Sequence, residues 1–579
     1  MALRRKRWQI APPASPALLE RFSSLHPLVV QMLYNRGITE PEAVRGLLEG
    51  ILECDNPFRL PGVERAVWLI RQAITRGELL AVYGDYDADG VTATALLVQT
   101  LQSLGGQVRP YIPSRAAEGY GLNAPAITAL AKEGVRLLLT VDCGIRSLEE
   151  VTLARCLGMQ VVITDHHHLG AALPNAEAVI NPRRPDSSYP AHDLAGVGVA
   201  FKLAQALLRV NRQVSLPTTQ TELAEESLLD LVALGTVADM VPLLGENHIL
   251  VQRGLDVIND AQRPGLAALL QLSGVEPGTV GTSTIGYRLA PRLNAAGRMG
   301  DARTALTLLL APDLSAALPL AHELESLNRE RRELTRQVQE QARGLALAAG
   351  DDVPLLFAAS PDFPAGIVGL AAGRLSEEFY RPAIVVGVDG EFAKGSARSI
   401  PEFHITKALD DAADLLVRHG GHAAAAGFTV RAENLDRLRE RLLALAQEQL
   451  TGIVLEPTLH VDIETPLGAL SWEVYEALEK LSPFGCGNQV PVFASRRVRV
   501  LDARAVGAEG RHLKLCVAAE DGRRWDAIAF RQGEWLGHLS SHVDLAYNLE
   551  RNEWKGHTSL QLKVLDICPA GAMIEREDV

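Results

Sequence analysis

Long apolar segments are missing from this chain of 579 residues. No window of about 18 uninterrupted apolar residues occurs, so no transmembrane helix is expected. The basic start, Met1 to Trp8, runs into Gln, Pro and Ser rather than into the apolar core of a signal peptide. We therefore expect a cytoplasmic protein with no membrane partner.

Clustered cysteines and a positive net charge are also missing. The six cysteines, at positions 54, 143, 156, 486, 516 and 568, show no CxxC spacing, which indicates neither a zinc cluster nor a disulfide framework. The formal charge of −13 argues against non-specific coating of nucleic acid by the whole molecule. A local basic groove is still allowed, because only the field near the ligand matters.

The chain has ample material for several cores, with 47% hydrophobic residues. From about 62 to 240, helical patterns alternate with short apolar runs, which predicts a largely parallel α/β sheet. The helical patterns are Val63 to Arg76 and Val91 to Leu104, and the runs are Leu79 to Tyr83, Leu137 to Val141, Gln160 to Thr164 and Ala178 to Ile180. Ligands of such sheets bind at the carboxyl ends of the strands.

The second half of the chain changes character twice. A charged connector helix is predicted between about Pro319 and Leu345, and its cluster Arg329 to Glu333 is interpreted as a solvated face. Residues 353 to 450 return to α/β character. After about 455 short alternating strands predict a small antiparallel barrel.

Acidic residues and histidines follow several of the apolar runs. They are Asp85, Asp87 and Asp89 in a DxDxD pattern, Asp142, the group Asp165-His166-His167-His168, and Asp239. Carboxylates with imidazole suit Mn²⁺ or Mg²⁺, and two such ions clamp the oxygens of a phosphoryl displacement. The alternatives are a Ca²⁺ loop or helix capping by Asp89, a turn at Asp142 and a polar loop for the histidines.

The motifs together resemble those of the DHH phosphoesterase superfamily. They are Gly84-Asp85-Tyr86-Asp87-Ala88-Asp89-Gly90, Val141-Asp142-Cys143-Gly144, Asp165-His166-His167 and Leu234 to Pro242, followed by Pro291 to Met299 and Gly420-Gly421-His422 with Ala426-Gly427-Phe428. With the strand-rich end, the resemblance narrows to the bacterial single-strand-specific 5′ to 3′ DNA exonucleases of that superfamily.

The resemblance implies an α/β fold class with four parts after the N-terminal segment 1–55. They are a largely parallel-sheet DHH catalytic domain at 56–312, a connector helix at 313–349, a second α/β domain, DHHA1, at 350–452, and an OB-type β-barrel that binds nucleic acid at 453–579.

The resemblance also implies roles for the acidic cluster. One metal ion would be bound by Asp89, Asp142, His166 and Asp239, and a second by Asp87 and Asp142, with Asp142 as the bridge. His167 would face the substrate phosphate, and His168 would neither bind metal nor face the phosphate. Asp85 and Asp165 would support the ligands. Relatives that cleave small phosphate compounds often carry a histidine where this chain has Tyr83, so the second ion is expected to bind more weakly.

Contacts to the strand follow from the same resemblance. Arg115, Ser396 and Arg398 would bind a 5′ phosphate, and His422 would contact a phosphate near the metal ions. Asn294 and Arg298 would contact the strand. A surface arginine at 115, a turn histidine at 422 and helix capping by Asn294 are the structural alternatives.

The predicted barrel reverses the charge of the chain. From Arg496 to Lys563 there are twelve Lys and Arg against nine Asp and Glu, an excess of three positive charges. Aromatic residues are interleaved with them at Trp525, Phe530, Trp535, Tyr547 and Trp554. This composition suits a surface that follows a phosphate backbone and stacks bases, although most of these aromatics are expected in the core.

The expected activity is metal-dependent hydrolysis of single-stranded DNA from the 5′ end to 5′ mononucleotides, in repair and recombination. Two ions of Mn²⁺ or Mg²⁺ would activate water, and a single-strand-binding protein and a helicase are candidate partners. The alternatives are a phosphodiesterase of short oligoribonucleotides or cyclic dinucleotides, and a non-catalytic scaffold that binds single strands.

Overall fold

The computed structural model describes residues 6–50, 56–115, 118–348, 350, 353–554, 556–571 and 575–576. Within these residues no helix is both long enough and apolar enough to span a bilayer. The contacts form two compact units. The larger contains Cys54–Val241 and Arg253–Leu455, and the smaller contains Met1–Glu53, Pro242–Gln252 and Glu456–Val579. The domain limits expected from the sequence stay a prediction.

The first sheet of the larger unit has five parallel strands. In spatial order they are Gln107–Tyr111, Leu79–Gly84, Val135–Val141, Gln160–Thr164 and Ala178–Ile180. The central strands are buried except near their starts, which explains why they appear in the sequence as continuous apolar runs. Because all five run the same way, their carboxyl ends share one edge, and the expected fold class is confirmed.

The α-helices between residues 63 and 309 alternate with these strands along the chain or follow them. They are Val63–Thr75, Ala88–Ser103, Ala124–Lys132, Leu148–Cys156, Gly196–Gln213, Leu229–Ala238, Gly245–Asn259, Pro264–Ser273, Thr282–Thr284, Ala290–Met299 and Arg303–Leu309, with a π-helical segment at Ile285–Leu289. The helix expected from Val91 begins at Ala88, because the Asp87 side chain accepts the amides of Asp89 and Gly90.

The connector helix is longer than the pattern predicts and spans Leu314–Leu347. Asp313 caps the helix by accepting the Ala316 amide. Pro319, the first residue of the predicted helix, therefore lies inside the observed one. Buried side chains recur along it at Ala317, Ala321, Leu324, Asn328, Thr335, Val338, Ala342 and Ala346. This stripe packs against neighbouring helices of the same unit.

The second sheet of the larger unit is mixed. Its strands, in spatial order, are Leu416–His422, Ala425–Arg431, Phe392–Arg398, Ala383–Asp389 and Leu356–Ser360. Only the last pair is parallel. The helices Val368–Phe379, Ile405–Asp410 and Leu435–Leu450 accompany it.

The smaller unit is built on a closed barrel. Five strands, Phe493–Val506, His512–Ala518, Arg524–Ala529, His557–Pro569 and His542–Trp554, form a ring that closes when the last pairs with the first, and Ile463–Glu464 extends it. Closure removes the exposed strand edges. Trp525, Trp535 and Tyr547 are buried in its core, as expected for most of these aromatics.

Residues from the N-terminus complete the smaller unit. Arg7–Ile10 pairs in parallel with Thr458–Val461 and with Glu575–Arg576. The helices Pro16–Arg21, Pro27–Asn35 and Pro41–Glu49 pack into the same core cluster as the barrel, next to the helix Trp472–Glu479. The sequence showed short helical patterns there but gave no sign that they share a core with the other end of the chain.

Candidate metal centre and phosphate site

The acidic residues and histidines converge at the carboxyl edge of the first sheet. Asp85 follows the strand Leu79–Gly84, Asp142 follows Val135–Val141, and Asp165 follows Gln160–Thr164. Asp239 differs from the sequence interpretation, which placed the acids at strand ends, because it ends the helix Leu229–Ala238. The convergence predicted from the sequence therefore occurs, with one helix contributing.

Two carboxylates of the DxDxD segment have different hydrogen-bond partners. Asp87 caps the helix Ala88–Ser103, a role that the sequence alternative had given to Asp89. Asp89 instead accepts the amides of Gly196 and Val197, at 2.7 and 2.8 Å, from the N-terminus of another helix. Those amides orient both of its oxygens.

Glycines allow close packing around the carboxylates. A Cβ on Gly196 would lie 2.6 Å from the Cβ of Asp142, and one on Gly235 would lie 2.9 Å from Oδ1 of Asp89. Asp142 itself adopts a left-handed backbone with φ of 57°, a conformation that Asp tolerates better than most residues. The unusual backbone conformation thus occurs at a carboxylate of the cluster.

His166 stands at the centre of the cluster. Its Nε2 lies 3.1 Å from Asp142 Oδ1, 3.6 Å from Asp239 Oδ2 and 4.0 Å from Asp89 Oδ2. The side chains offer three sets of potential ligand atoms, and within each set the atoms lie within 4.8 Å of one another. The sets are Asp89, His166 and Asp239; Asp142, His166 and His167; and Asp85, Asp87 and Asp142. Asp142 belongs to two of these sets.

The acids are crowded enough to resist ionisation. Burial, followed by the neighbouring charge of Asp87, raises the pKa of Asp89 to about 7. Burial, followed by the charges of Asp89 and Asp87, raises the pKa of Asp239 to about 9. Burial and the charge of Asp89 also raise the pKa of Asp142 well above its usual value. A cation would relieve this repulsion.

The donor atoms fit a divalent metal ion. Asp142 Oδ1, His166 Nε2 and Asp85 Oδ1 are buried, and none has a hydrogen-bond partner among the described residues. Burial lowers the pKa of His166 to about 4, so its imidazole is neutral and able to ligate near neutral pH. Carboxylate oxygens with one imidazole match the preferences of Mn²⁺ and Mg²⁺.

Asp165 fixes the two histidines that follow it. Its Oδ1 accepts the amides of His166 and His167 and lies 2.8 Å from Nδ1 of His167, while Oδ2 accepts the Ile145 amide. Burial opposes ionisation, but the hydrogen bonds from His167 and the backbone lower the pKa of Asp165. The pKa of His167 is raised in return, against burial. His167 therefore retains proton-donating character.

Two further residues near the histidines lay outside the sequence prediction. The Tyr120 hydroxyl lies 3.3 Å from both the Asp142 carbonyl oxygen and His167 Nδ1. Arg183 donates to the His166 carbonyl oxygen at 3.0 Å and pairs with Asp193. Neither belongs to an acidic motif, so no spacing signal could have found them.

Tyr83 turns away from the cluster. It is fully buried, its hydroxyl donates to the Gly121 carbonyl oxygen at 3.0 Å, and its ring stacks on Tyr111. Asn123 donates to the same hydroxyl. The position at which some superfamily members carry a histidine thus serves packing here.

A cationic pocket lies at the second sheet. Arg398 donates to Ser396 Oγ at 3.2 Å, and both face Gly369 near the N-terminus of the helix Val368–Phe379. A glycine there and a helix N-terminus both favour an anion. No hydrogen bond joins Arg115 to either of them within the described residues; its guanidinium lies 5.2 Å from the Tyr86 ring.

The remaining predicted residues are arranged around the same edge. Asn294 accepts the Ala88 amide at 2.8 Å, so it caps a helix other than its own. Arg298 donates to the Gly366 carbonyl oxygen at 3.4 Å. His422 ends a strand of the second sheet, with its ring 6.1 Å from that of His168. The structure therefore brings His422 to the histidine motif.

The outer face of the barrel carries a basic row. Arg504 lies directly opposite Lys514 on the neighbouring strand. Lys514 lies opposite Ile528 on the next strand, and Ile528 lies opposite Lys563 on the strand after that. Beside this row, Phe530 is 51% exposed and its ring meets that of His512 edge to face at 5.3 Å. Like charges opposite each other on paired strands are unfavourable unless an anion covers them.

Three family models match the chain, in the order that its motifs suggest. They are the DHH family N-terminal domain over residues 80–236, the DHHA1 domain over 352–448 and the RecJ OB domain over 461–566. Together they cover the cluster except Asp239, the cationic pocket and most of the barrel.

Individual relatives match over nearly the whole chain. The single-stranded-DNA-specific exonuclease RecJ of Bacillus subtilis (strain 168) is 38% identical over 574 residues, which are 98% of this chain and 71% of that protein. The exonuclease of the same name from Dickeya dadantii (strain 3937) is 39% identical over 96% of this chain and 97% of its own.

A solved structure agrees with the sequence matches. The crystal structure of RecJ in complex with Mn²⁺ from Thermus thermophilus superposes with a TM-score of 0.83 at 31% identity, covering 98% of this chain and 80% of that one. A shared fold, three shared domain types and this level of identity along the chain lead to one assignment. The protein belongs to the RecJ family of the DHH superfamily.

Proposed function

We propose that the protein is a metal-dependent exonuclease that degrades single-stranded DNA from the 5′ end to 5′ mononucleotides, in DNA repair and recombination. The observation that carries the proposal is the buried set of donors around His166 and Asp142, unpartnered among the described residues, in a chain of this family. A non-catalytic scaffold would have no need of so costly a cluster of carboxylates. The cytoplasmic location and the protein partners stay predictions of the sequence.

Two metal positions are proposed within the cluster. Asp89, Asp142, His166 and Asp239 would bind one ion, and Asp87 with Asp142 would bind the other. The second set also contains Asp85, whose Oδ1 has no hydrogen-bond partner among the described residues, so Asp85 is a candidate ligand as well as a support. Because Tyr83 offers no ligand, the second ion is expected to bind more weakly.

The chemistry follows from what each side chain can do. A pair of bound divalent ions supplies Lewis acidity and lowers the pKa of a water molecule. His167, oriented by Asp165, donates a hydrogen bond to the scissile phosphate, and His422 approaches the same edge from the second sheet. Asp89 keeps its orientation through the amides of Gly196 and Val197, so little reorganisation accompanies each turnover.

Polarity would come from recognition of the strand end. Ser396, Arg398 and the N-terminus of the helix Val368–Phe379 form a donor set for a terminal phosphate. Arg115 would reach the strand from the first sheet. Because only a 5′ end offers a terminal phosphate in ordinary DNA, this pocket selects the direction of degradation.

The barrel would hold the rest of the strand. Arg504 and Lys514 offer adjacent cations, and Phe530 offers an exposed ring for a base. Lys563, on the same face, is already paired with Glu550 at 2.9 Å. Contacts of this kind depend on the backbone and on stacking, so they carry little sequence preference. A phosphodiesterase of dinucleotides would not need them, which favours a long substrate.

Removal of the bridging carboxylate tests the metal centre. Asp142→Asn should lower Mn²⁺-dependent exonuclease activity by at least about a hundredfold, because metal ions contribute several kcal/mol to such transition states. In thermal melts, Mn²⁺ should raise the wild-type Tm but barely change that of the variant. Without metal the variant should be no less stable, since one repelling charge is gone. Asp362→Asn, at an exposed position, is the control, and an undiminished Mn²⁺ shift in Asp142→Asn would contradict the assignment.

The raised pKa values predict how metal binding depends on pH. Asp89 and Asp239, with pKa values of about 7 and 9, favour the protonated state in the metal-free protein. The protons on these two carboxyl groups therefore stabilise the folded, metal-free protein at low pH. That stabilisation is lost as the pH rises through the two pKa values. Mg²⁺ replaces the protons, so the gain in Tm on adding Mg²⁺ should increase from pH 6 to pH 8.5. Melts at constant ionic strength check this, and a constant gain would argue against the cluster as the site.

End-labelled strands test the polarity. With Mn²⁺, a 5′-labelled single strand should release labelled mononucleotide at once, whereas a 3′-labelled strand should shorten stepwise. Arg398→Ala should reduce the preference for 5′-phosphorylated over 5′-hydroxyl strands by roughly tenfold, the value of one hydrogen bond to a charged group. Arg431→Ala, an exposed arginine of the same sheet, should leave it unchanged. Degradation from the 3′ end, or faster degradation of RNA, would refute the proposal.

The barrel surface has its own test. Phe530→Ala should weaken binding of a long single strand roughly tenfold, the usual value of one stacked base. A strand without bases should bind both proteins equally, and cleavage of a dinucleotide should not change. Trp472→Ala, another exposed aromatic of the smaller unit, is the control. Equal loss in both variants would mean that Phe530 has no special role.

A further inference from the structure

Arg331 on the connector helix departs from the sequence interpretation. Its cluster, Arg329 to Glu333, was interpreted as a solvated face, yet Arg331 is only partly exposed, between the buried residues Asn328 and Thr335. Its Nη2 donates to Asn328 Oδ1 at 2.9 Å, while its Nε is buried without a hydrogen-bond partner among the described residues. The interpretation is therefore wrong for this residue.

The helix that carries Arg331 packs against an element with predicted strand contacts. The connector helix packs against the helix Ala290–Met299, and a Cβ on Gly300 would lie 3.4 Å from Leu327, one turn before Arg331. Burial, followed by the charges of Arg115 and Arg331, lowers the pKa of Arg298 to about 10. Arg331 and Arg298 thus lie within electrostatic reach of each other.

The arginines of this region lack acidic partners among the described residues. Five of them form no salt bridge in that part of the chain: Arg115, Arg298, Arg331, Arg374 and Arg398. On the same helix, by contrast, Arg332 pairs with Glu325, and Arg336 pairs with Glu333 and Glu340. The charges of Asp85 and Asp87 act on Arg115 and Arg298 without forming a salt bridge among the described residues. Partly buried cations that lack a close acidic partner are unfavourable, and in a chain of charge −13 their grouping favours an anionic ligand.

The arginines divide into two groups along the helix Val368–Phe379. Arg398 lies against Gly369 and Gly373 of that helix. Arg298 instead donates to the Gly366 carbonyl oxygen, before the helix begins, and the charge of Arg331 acts on Arg298. Two groups at different positions suit two phosphates rather than one.

We propose that Arg331, together with Arg298, binds an internal backbone phosphate of the single strand, additional to the terminal phosphate at Ser396 and Arg398. This inference rests on the proposed function, and it names a substrate-binding residue on the connector helix. The planar guanidinium suits the task because it presents two parallel donors to phosphate oxygens, and the Nε of Arg331, unpartnered among the described residues, is one of them.

The test measures binding without hydrolysis. Fluorescence anisotropy of a labelled thymidine strand in EDTA gives Kd for wild type, Arg331→Met and Arg336→Met, the last being a control on an exposed part of the same helix. Arg331→Met should raise Kd roughly tenfold for 5′-phosphorylated and 5′-hydroxyl strands alike. The slope of log Kd against log salt should fall by about 0.7, the value of one lost phosphate contact on a single strand. Binding of a 5′-phosphorylated mononucleotide should not change.

Three outcomes would overturn the inference. Equal Kd and equal salt slope in Arg331→Met would show that no phosphate is bound there. A loss confined to 5′-phosphorylated strands would assign Arg331 to the terminal pocket. An equal loss in Arg336→Met would show a general charge effect.

A conservative variant covers the case in which Arg331→Met folds poorly. Arg331→Lys keeps the charge and loses the paired donors, so it should keep the salt slope and bind more weakly than wild type. A variant that only lost stability would melt earlier and bind normally below its Tm. If wild type binds single strands in EDTA but does not degrade them with Mn²⁺, the proposed function fails, while the comparison of Arg331 variants still decides the phosphate contact.

Discussion

Repulsion among buried carboxylates is the constraint around which the first sheet is built. Asp85, Asp89 and Asp142 are almost completely buried, with Asp85 close to Asp142 and with both Asp89 and Asp142 close to His166, an arrangement that is costly without a cation. The surrounding structure compensates with fixed donors: two backbone amides for Asp89, and three amides with an imidazole for Asp165. Glycines at 196 and 235 let the backbone approach closely enough to provide this environment.

The sequence predicted the arrangement of the cluster well because each motif follows a short apolar run. Parallel strands bring their carboxyl ends to one edge, so order along the chain was enough to predict that Asp142 and His166 meet. What the motifs could not show was the identity of the cap. Asp87 and Asp89 occupy equivalent places in the DxDxD pattern, and only the helix Gly196–Gln213, more than a hundred residues later, decides which of them is free of capping.

Residues outside the motifs were beyond prediction for a similar reason. Tyr120 and Arg183 contact the histidines from loops, and the charge of Arg331 acts on Arg298 from a helix rich in charged residues. In each case the interaction depends on how separate elements pack, and the local sequence does not predict that packing. The exposed Phe530 was likewise one of five aromatic candidates, of which the structure buries Trp525, Trp535 and Tyr547 in the core.

The pairing of the N-terminal strand with residues near the other end of the chain has a consequence for biosynthesis. Arg7–Ile10 is synthesised several hundred residues before its neighbours Thr458–Val461 and Glu575–Arg576. The larger unit can therefore reach its folded state during translation. The helices Pro16–Arg21, Pro27–Asn35 and Pro41–Glu49 meanwhile keep their apolar faces exposed to solvent. Because contacts of such long sequence separation form slowly, completion of the smaller unit should be the late step in maturation of the chain.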